Sequence, residues 1–272
     1  MKTICFYHGG CADGILSAAI VKHKHKNTEC IGCKYGDNPD EATYKDAIVY
    51  ISDFSFEPQV MKNILLKSKQ VHWNDHHQTA KDKNPELWND KNVPGLRQMD
   101  KAGCMLTWNY IYPDSNPPLI VVRINDRDLW KNEYPDSTIF HEAFDHFITI
   151  PENVLDYELF WNDERIKELK TVGTILAEAK TKRVDRAFKI GFERNIQGKR
   201  TWCVNSTIDT SDIGNYSVKQ GYDAAIVFSK TRDVWHYSVR SIDNKTALEI
   251  ATHYGGGGHP NAASFKLKEY IL

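Results

Sequence analysis

Short apolar runs alternate with amphipathic segments in the first half of the chain. The apolar runs predict β-strands at 3–7, 30–35, 48–52 and 71–73. Between them, apolar residues recur at helical spacing over 15–25 and at Val60, Ile64 and Leu65. Strands that alternate with helices in this way are typical of a mostly parallel sheet flanked by helices. We therefore predict an α/β fold for this half.

The second half begins with helical patterns and returns to strands. The helical stretches are predicted at 101–112, 137–148 and 156–188, the last as one long helix or two. Strands are predicted at 201–204, 224–228, 235–240 and 263–266, with a short helix near 247–254. We expect a catalytic domain over 1–150, a helical linker over 151–190 and a smaller α/β domain over 191–272.

Composition and charge narrow the possible partners. The 272 residues include 35 basic and 36 acidic side chains, and 41% are hydrophobic. Proteins that grip long nucleic acids usually carry a strong basic excess, so the near-neutral charge argues against a long duplex partner. The sequence shows neither a membrane-length apolar run nor a signal peptide, and its six cysteines are scattered. We expect a cytoplasmic protein that does not bind membranes; the sequence leaves its oligomeric state open.

Residues with metal-ligand chemistry follow several of the predicted core segments. They are His8 and Asp13, Asp53, His76 and His77, and Asp126 and Asp128. The carboxyl ends of parallel strands share one edge of a sheet, where ligands usually bind. Imidazoles and carboxylates together suit Mn²⁺, Fe²⁺ or Zn²⁺, and this set is large enough for two ions. Taken singly, each residue has an ordinary structural interpretation; Asp13, for example, could cap the helix that follows.

A run of four glycines in the second half, at 255–258, precedes His259. Glycines allow the backbone to approach a ligand closely and to present amide N–H groups to an anion. The alternative is a flexible loop without a role. The strand-like sequence that follows favours a functional loop over a linker.

These motifs together resemble the DHH/DHHA1 phosphoesterases. Asp75-His76-His77 matches the motif that names the DHH domain, and Gly-Gly-Gly-Gly-His at 255–259 matches the signature of the DHHA1 domain. The resemblance covers nearly the whole chain in the expected order. It implies a DHH domain, a linker and a DHHA1 domain within the boundaries given above.

The resemblance also implies a two-metal site. His8 and Asp53 resemble ligands of a first ion, and Asp53 would bridge to a second. The ligands of the second ion would be Asp13, Asp53, His76 and Asp126, with Asp128 as the alternative to Asp126.

Cys11 departs from the family pattern. Many members have a metal-binding aspartate at this position. A thiolate could still bind the first ion and would favour Zn²⁺ or Fe²⁺. Alternatively, the first site is weaker or is filled only when substrate is bound.

Further residues resemble substrate-binding positions of the family. His77 and Arg240 would contact phosphate and act in catalysis together with Asp53. Substrate contacts in the second domain would also come from Gly256, Gly257, Gly258 and His259.

The expected activity is hydrolysis of phosphate esters in short oligonucleotides or small nucleotides. Two divalent ions, for which we expect Mn²⁺, would activate a hydroxide for attack on phosphorus. Two alternatives stay open. One is a nucleotide-binding protein with little catalytic activity, and the other is a hydrolase of polyphosphate or pyrophosphate.

Overall fold

The computed structural model describes residues 2–272, which form two compact units. The first unit ends at Ala177 and the second is Glu178–Leu272. The strands of the first unit are β1 (Thr3–His8), β2 (Thr28–Cys33), β3 (Ile48–Ser52) and β4 (Gln70–Asn74). Its helices are α1 (Ala12–Lys24), α2 (Glu41–Tyr44), α3 (Pro58–Lys67), α4 (Gln78–Lys83), α5 (Pro85–Asn89), α6 (Gly103–Ile111), α7 (Leu119–Asp128), α8 (Ser137–Phe147) and α9 (Pro151–Asp156). The helix α10 (Asp163–Lys189) contains the division between the units, and the domain boundaries at 150 and 190 stay predictions.

The strands of the first unit form a parallel sheet in the order β2-β1-β3-β4, as the sequence predicted. In this sheet Tyr7 lies opposite Ser52, and Ser52 lies opposite Asn74. The next residues of three neighbouring strands, His8, Asp53 and Asp75, therefore leave the sheet at the same edge. This register is what brings distant polar residues together.

Both faces of this sheet are covered. Along β1, Cys5 and Tyr7 pack into the apolar cluster formed with α1 and α6, while Ile4 and Phe6 pack on the opposite face with α3. This alternation follows from the two-residue repeat of a strand. A parallel sheet buried on both faces explains why the strands read as continuous apolar runs.

The second unit has a mixed sheet. Its elements are β5 (Phe192–Ile196), β6 (Lys199–Asn205), α11 (Thr210–Lys219), β7 (Ala224–Thr231), β8 (Val234–Arg240), α12 (Thr246–His253), β9 (Gly257–His259) and β10 (Ala262–Leu267). The strand order is β5-β6-β7-β8-β10-β9, in which β6 and β7 are parallel and the other pairs antiparallel. The sequence predicted this α/β unit but not β5, α11 or β9.

Two helices, α7 and α10, differ from what the sequence periodicity predicted. The sequence did not predict α7, because its first residues, Leu-Ile-Val-Val, include three β-branched side chains that favour strands. The stretch predicted at 156–188 is one 27-residue helix, α10, which begins at Asp163. Within the described residues, no helix combines the length and apolar character required to cross a bilayer.

A histidine lies among aromatic rings on the sheet of the first unit. The ring of His72 in β4 stacks on Tyr50 at a centroid distance of 4.5 Å and an angle of 11°. Its Nδ1 atom lies 2.6 Å from the hydroxyl of Tyr110. Burial lowers the pKa of His72 to about 4. The neutral imidazole is therefore the form that suits the folded chain.

We predict that His72 makes the first unit sensitive to acid. In the unfolded chain the pKa of a histidine is about 6.5. Between about pH 6.5 and pH 4, the unfolded state therefore binds a proton that the folded state does not, and the free energy of unfolding falls as the pH falls. The His72→Phe variant keeps the aromatic stack and should lose less stability between pH 7.5 and pH 5 in urea unfolding. The exposed His146→Phe variant is the control, and equal pH dependence in wild type and His72→Phe would contradict the prediction.

Candidate metal centre

The first candidate ligand group lies between the ends of β1 and β3. The Sγ atom of Cys11 is 3.3 Å from Nδ1 of His8 and 3.4 Å from Oδ2 of Asp53. The His8 Nδ1 atom is 3.8 Å from the same Asp53 oxygen. These three ligand atoms lie within 4.8 Å of one another, close enough to share one ion.

The second group surrounds His76. Its Nε2 atom lies 3.2 Å from Oδ1 of Asp53, 3.6 Å from Oδ2 of Asp13 and 3.6 Å from Oδ2 of Asp128. One oxygen of Asp53 therefore faces the first group and the other oxygen faces the second. A single carboxylate between two ligand groups is the arrangement that a bridged pair of ions requires.

The backbone at Asp53 is held in an unusual conformation. Its φ angle is 56°, in the left-handed region that non-glycine residues seldom occupy. Its amide donates a hydrogen bond to the carbonyl of Asn74, and the N-terminus of α6 packs against it so closely that a Cβ on Gly103 would lie 2.5 Å from the Asp53 Cβ. Such conformations cluster at functional sites, where the surrounding structure enforces them.

The carboxylate of Asp13 caps a helix and can still bind a cation. Its carboxylate accepts hydrogen bonds of 2.7 Å from the amides of Gly103 and Cys104, at the N-terminus of α6. It therefore caps α6 and not α1, whose first turn is capped by the Cys11 sulfur through the amide of Gly14. A carboxylate has about four acceptor positions, so Asp13 can also bind a cation.

The two histidines of the DHH motif have different surroundings. The buried Asp75 accepts hydrogen bonds at Oδ1 from the amides of His76 and His77 and lies 2.8 Å from Nδ1 of His77. Asp75 thereby fixes the ring of His77, although His77 can also join Asp53 and His76 in a ligand group. The sequence did not predict a separate role for Asp75. Its position directly before the histidine pair was the signal that could have indicated this role.

The two candidate aspartates of α7 point to different places. Asp126 is buried and accepts hydrogen bonds from the amides of Glu133 and Tyr134, in the loop that follows the helix. Asp128 instead faces His76. Among the described residues, Asp128 rather than Asp126 belongs to a group that could hold an ion.

Burial and crowding of charge shift the protonation of this site. Burial, with the nearby carboxylates of Asp53 and Asp128, raises the pKa of Asp13 well above its usual value. Burial alone would also raise the pKa of Asp53, but hydrogen bonds from His76 and His8 hold it well below the usual range. Burial would lower the pKa of His76, but Asp53, Asp128 and Asp13 raise it to about 10.

These shifts describe a site with an excess of buried negative charge. An imidazolium supplies the positive charge beside the carboxylates, and a divalent cation could take over that role. The Oδ1 atom of Asp53 is buried, and Nε2 of His76 lies 3.2 Å from it. A carboxylate oxygen of this kind, among imidazole and carboxylate ligands, suits a divalent ion.

An aromatic residue that the sequence analysis missed lies at the rim of the site. The ring of Tyr35, which follows β2, lies 5.4 Å from the ring of His8 and 6.3 Å from that of His77, and Tyr35 is 51% exposed. Its position just after a parallel strand was a usable signal, because all four strands end at this edge.

The predicted residues of the second unit have structural partners there. Arg240 donates hydrogen bonds to the hydroxyls of Ser238 and Ser211 and to the carbonyl of Val239. The glycine run is not a free loop, because its last part forms β9 beside β10. A Cβ on Gly256 would lie 2.1 Å from the Ser264 carbonyl oxygen, so this glycine is needed for packing.

The last two glycines of the run differ in their surroundings. A Cβ on Gly258 would lie 2.6 Å from the Ala262 carbonyl oxygen, whereas one on Gly257 would meet nothing within 4 Å. His259 is exposed at the end of β9. The substrate-binding roles of Arg240, the glycines and His259 stay predictions.

A comparison with known sequences finds a viral relative. No family model matches the chain. An uncharacterized protein of Acanthamoeba polyphaga mimivirus is 27% identical over an alignment of 297 positions, gaps included, that covers 96% of this chain. The chain spans 66% of the length of that viral protein, slightly less than two thirds.

Comparisons with solved structures concern the fold. The pGpG-specific phosphodiesterase PggH from Vibrio cholerae superposes with a TM-score of 0.56 and 12% identity, covering 98% of this chain and 93% of that one. RecJ from Thermus thermophilus, in complex with Mn²⁺, superposes with a TM-score of 0.57 and 14% identity, covering 97% of this chain and 49% of RecJ. The chain therefore has the same overall fold as PggH and RecJ. The α/β fold that the sequence motifs implied is thereby confirmed.

We predict that Cys11 binds a metal ion through its sulfur. Addition of Co²⁺ to the wild-type protein should produce a sulfur-to-cobalt charge-transfer band in the near ultraviolet, because a thiol that coordinates a metal is deprotonated to the thiolate. The Cys11→Ser variant should lose this band, whereas the Cys30→Ser control should keep it. A band of equal intensity in Cys11→Ser would show that the thiol lies outside the coordination sphere.

Proposed function

We propose that this protein is a metal-dependent phosphoesterase of the DHH type. The proposal depends on Asp53, whose two oxygens face separate ligand groups. The groups contain His8 and Cys11 on one side, and His76 with Asp13 and Asp128 on the other. Two ions held in this way would polarise a phosphate and lower the pKa of a bound water.

The residues around these groups supply positioning and charge. Burial would lower the pKa of His77, but its hydrogen bond to Asp75 and the charge of Asp53 raise it to about 9. The His77 ring is placed to stabilise negative charge on a phosphate oxygen through a hydrogen bond. Asp75 holds the His77 ring in place, so the ring does not have to reorient during the reaction.

The substrates that we propose are short oligonucleotides or small nucleotides. The net charge of −1 gives no support to a long polyanionic partner. Two proteins of similar fold are named for related chemistry, one as a pGpG-specific phosphodiesterase and one as the RecJ exonuclease. We propose Mn²⁺ as the metal, and the structure of RecJ with Mn²⁺ supports that choice.

Asp53→Asn should abolish hydrolysis of a 5′-labelled dinucleotide in the presence of Mn²⁺. The neutral amide cannot bridge two cations, so we expect a loss well beyond about tenfold, equivalent to more than about 1.4 kcal/mol in activation free energy. Asp128→Asn should also reduce turnover, because Asp128 faces His76. The measurement is the release of mononucleotides, with circular dichroism to confirm folding.

Asp126→Asn is the matched control, since Asp126 is a buried aspartate of the same helix whose oxygens accept from loop amides. It should retain turnover at a temperature where it remains folded. Activity of Asp53→Asn within about tenfold of wild type would contradict the bridging role. A wild-type protein that binds the dinucleotide tightly without cleaving it would overturn the proposed hydrolysis.

A further inference from the structure

A cavity of about 350 Å³ lies in the first unit, beside the group formed by His8, Cys11 and Asp53. It opens between the N-terminal end of α1 and the helix α8 with the segment after it. The lining side chains that matter here are Cys11, Ile15, His141, Asp145, Ile148 and Thr149. Its volume is at the lower end of the roughly 300–1,000 Å³ range of small-molecule sites. That volume suits one nucleoside better than several linked nucleotides.

The walls of the cavity differ in polarity. Ile15 of α1 and Ile148, which follows α8, are nearly buried aliphatic side chains that form part of the lining. The polar part comes from α8, where Nδ1 of His141 lies 3.3 Å from Oδ2 of Asp145. Apolar side chains together with a few polar groups are typical of small-molecule sites.

The charge of the lining argues against a phosphate inside the cavity. Its residues include the carboxylate of Asp145 but neither lysine nor arginine. A phosphate would be repelled by Asp145, whereas the N–H groups of a nucleobase would find an acceptor there. The imidazole of His141 adds a second group that can donate or accept a hydrogen bond.

We propose that this cavity binds the nucleoside of the substrate, with the base against Ile15 and Ile148 and its polar edge toward His141 and Asp145. Cys11 connects the two sites, because it lines the cavity and also belongs to the first ligand group. A phosphate bound at that group would place its own nucleoside in the neighbouring cavity. This inference rests on the proposed function, and it makes His141 a specificity-determining residue.

The test observes the cavity directly through isoleucine methyl groups. The protein is labelled at isoleucine δ1 methyls, loaded with Mg²⁺, which is diamagnetic, and titrated with GMP. The Ile15→Val and Ile148→Val variants assign the two signals. A base stacked in the cavity should shift both signals through its ring current. Ribose 5-phosphate, which has the phosphate and sugar but no base, should leave them nearly unchanged at saturation.

The His141→Ala variant tests the polar end. We expect the Kd for GMP to rise about tenfold, the loss of roughly one hydrogen bond, while the Kd for ribose 5-phosphate stays the same. The His146→Ala variant is the control, because this exposed histidine lies on the same helix but does not line the cavity. Equal effects of the two substitutions would overturn the role of His141.

Other outcomes separate this inference from the proposed function. If the protein cleaves a dinucleotide but GMP leaves both methyl signals in place, the phosphoesterase stands and the base lies elsewhere, for example on Tyr35. If both signals shift but no substrate is cleaved, the cavity is a nucleoside site and the proposed hydrolysis is wrong. If GMP does not bind the Mg²⁺-loaded protein, the cavity proposal is overturned.

Discussion

The feature on which the rest of the first unit depends is the convergence of three carboxylates, two buried and one partly exposed, on one imidazole. Asp13, Asp53 and Asp128 lie within 3.6 Å of Nε2 of His76. Like charges this close, largely removed from water, destabilise a fold unless positive charge compensates them. The surrounding structure supplies part of that compensation and leaves room for a cation to supply the rest.

Several local features become intelligible as supports for this arrangement. The N-terminus of α6 directs two amides at Asp13, and its partial positive charge favours the anion. The left-handed backbone of Asp53 turns the side chain back across the sheet edge, and only a glycine at 103 leaves room for it. Asp75 holds His77 so that both histidines of the motif face the same place. Each support restricts the local conformation, as is common at functional sites.

The sequence was sufficient to predict the parallel sheet and the edge at which most of the candidate ligands lie, and the reason is physical. Strands that alternate with helices predict a parallel sheet. The register of this sheet places His8, Asp53 and Asp75 at one edge. The sequence could not decide between Asp126 and Asp128 as the candidate ligand. That choice depends on where α7 ends and on the loop amides that donate hydrogen bonds to Asp126. The helix itself was missed because its β-branched start imitates a strand, and packing on the core overrides that local preference.

The same limit applies to residues whose role depends on neighbours distant in sequence. Asp13 reads as a cap for the helix that follows it, yet it caps α6, about 90 residues away. His141 reads as an ordinary helix residue, and only the folded chain shows that it lines a cavity beside Cys11. The glycines at 256 and 258 were expected to approach a ligand, but the closest groups to them belong to β10. Contacts between segments so far apart leave no periodic signal in a single sequence.

The most direct test of this account is a crystal soaked with Mn²⁺ and measured for anomalous scattering. We expect two peaks about 3.5–4 Å apart, the spacing of paired ions in such enzymes. Asp53 should contact both, with His8 and Cys11 at one peak and His76 and Asp128 at the other. A single peak, or two peaks of which only one touches Asp53, would contradict the central claim that one carboxylate joins two metal sites.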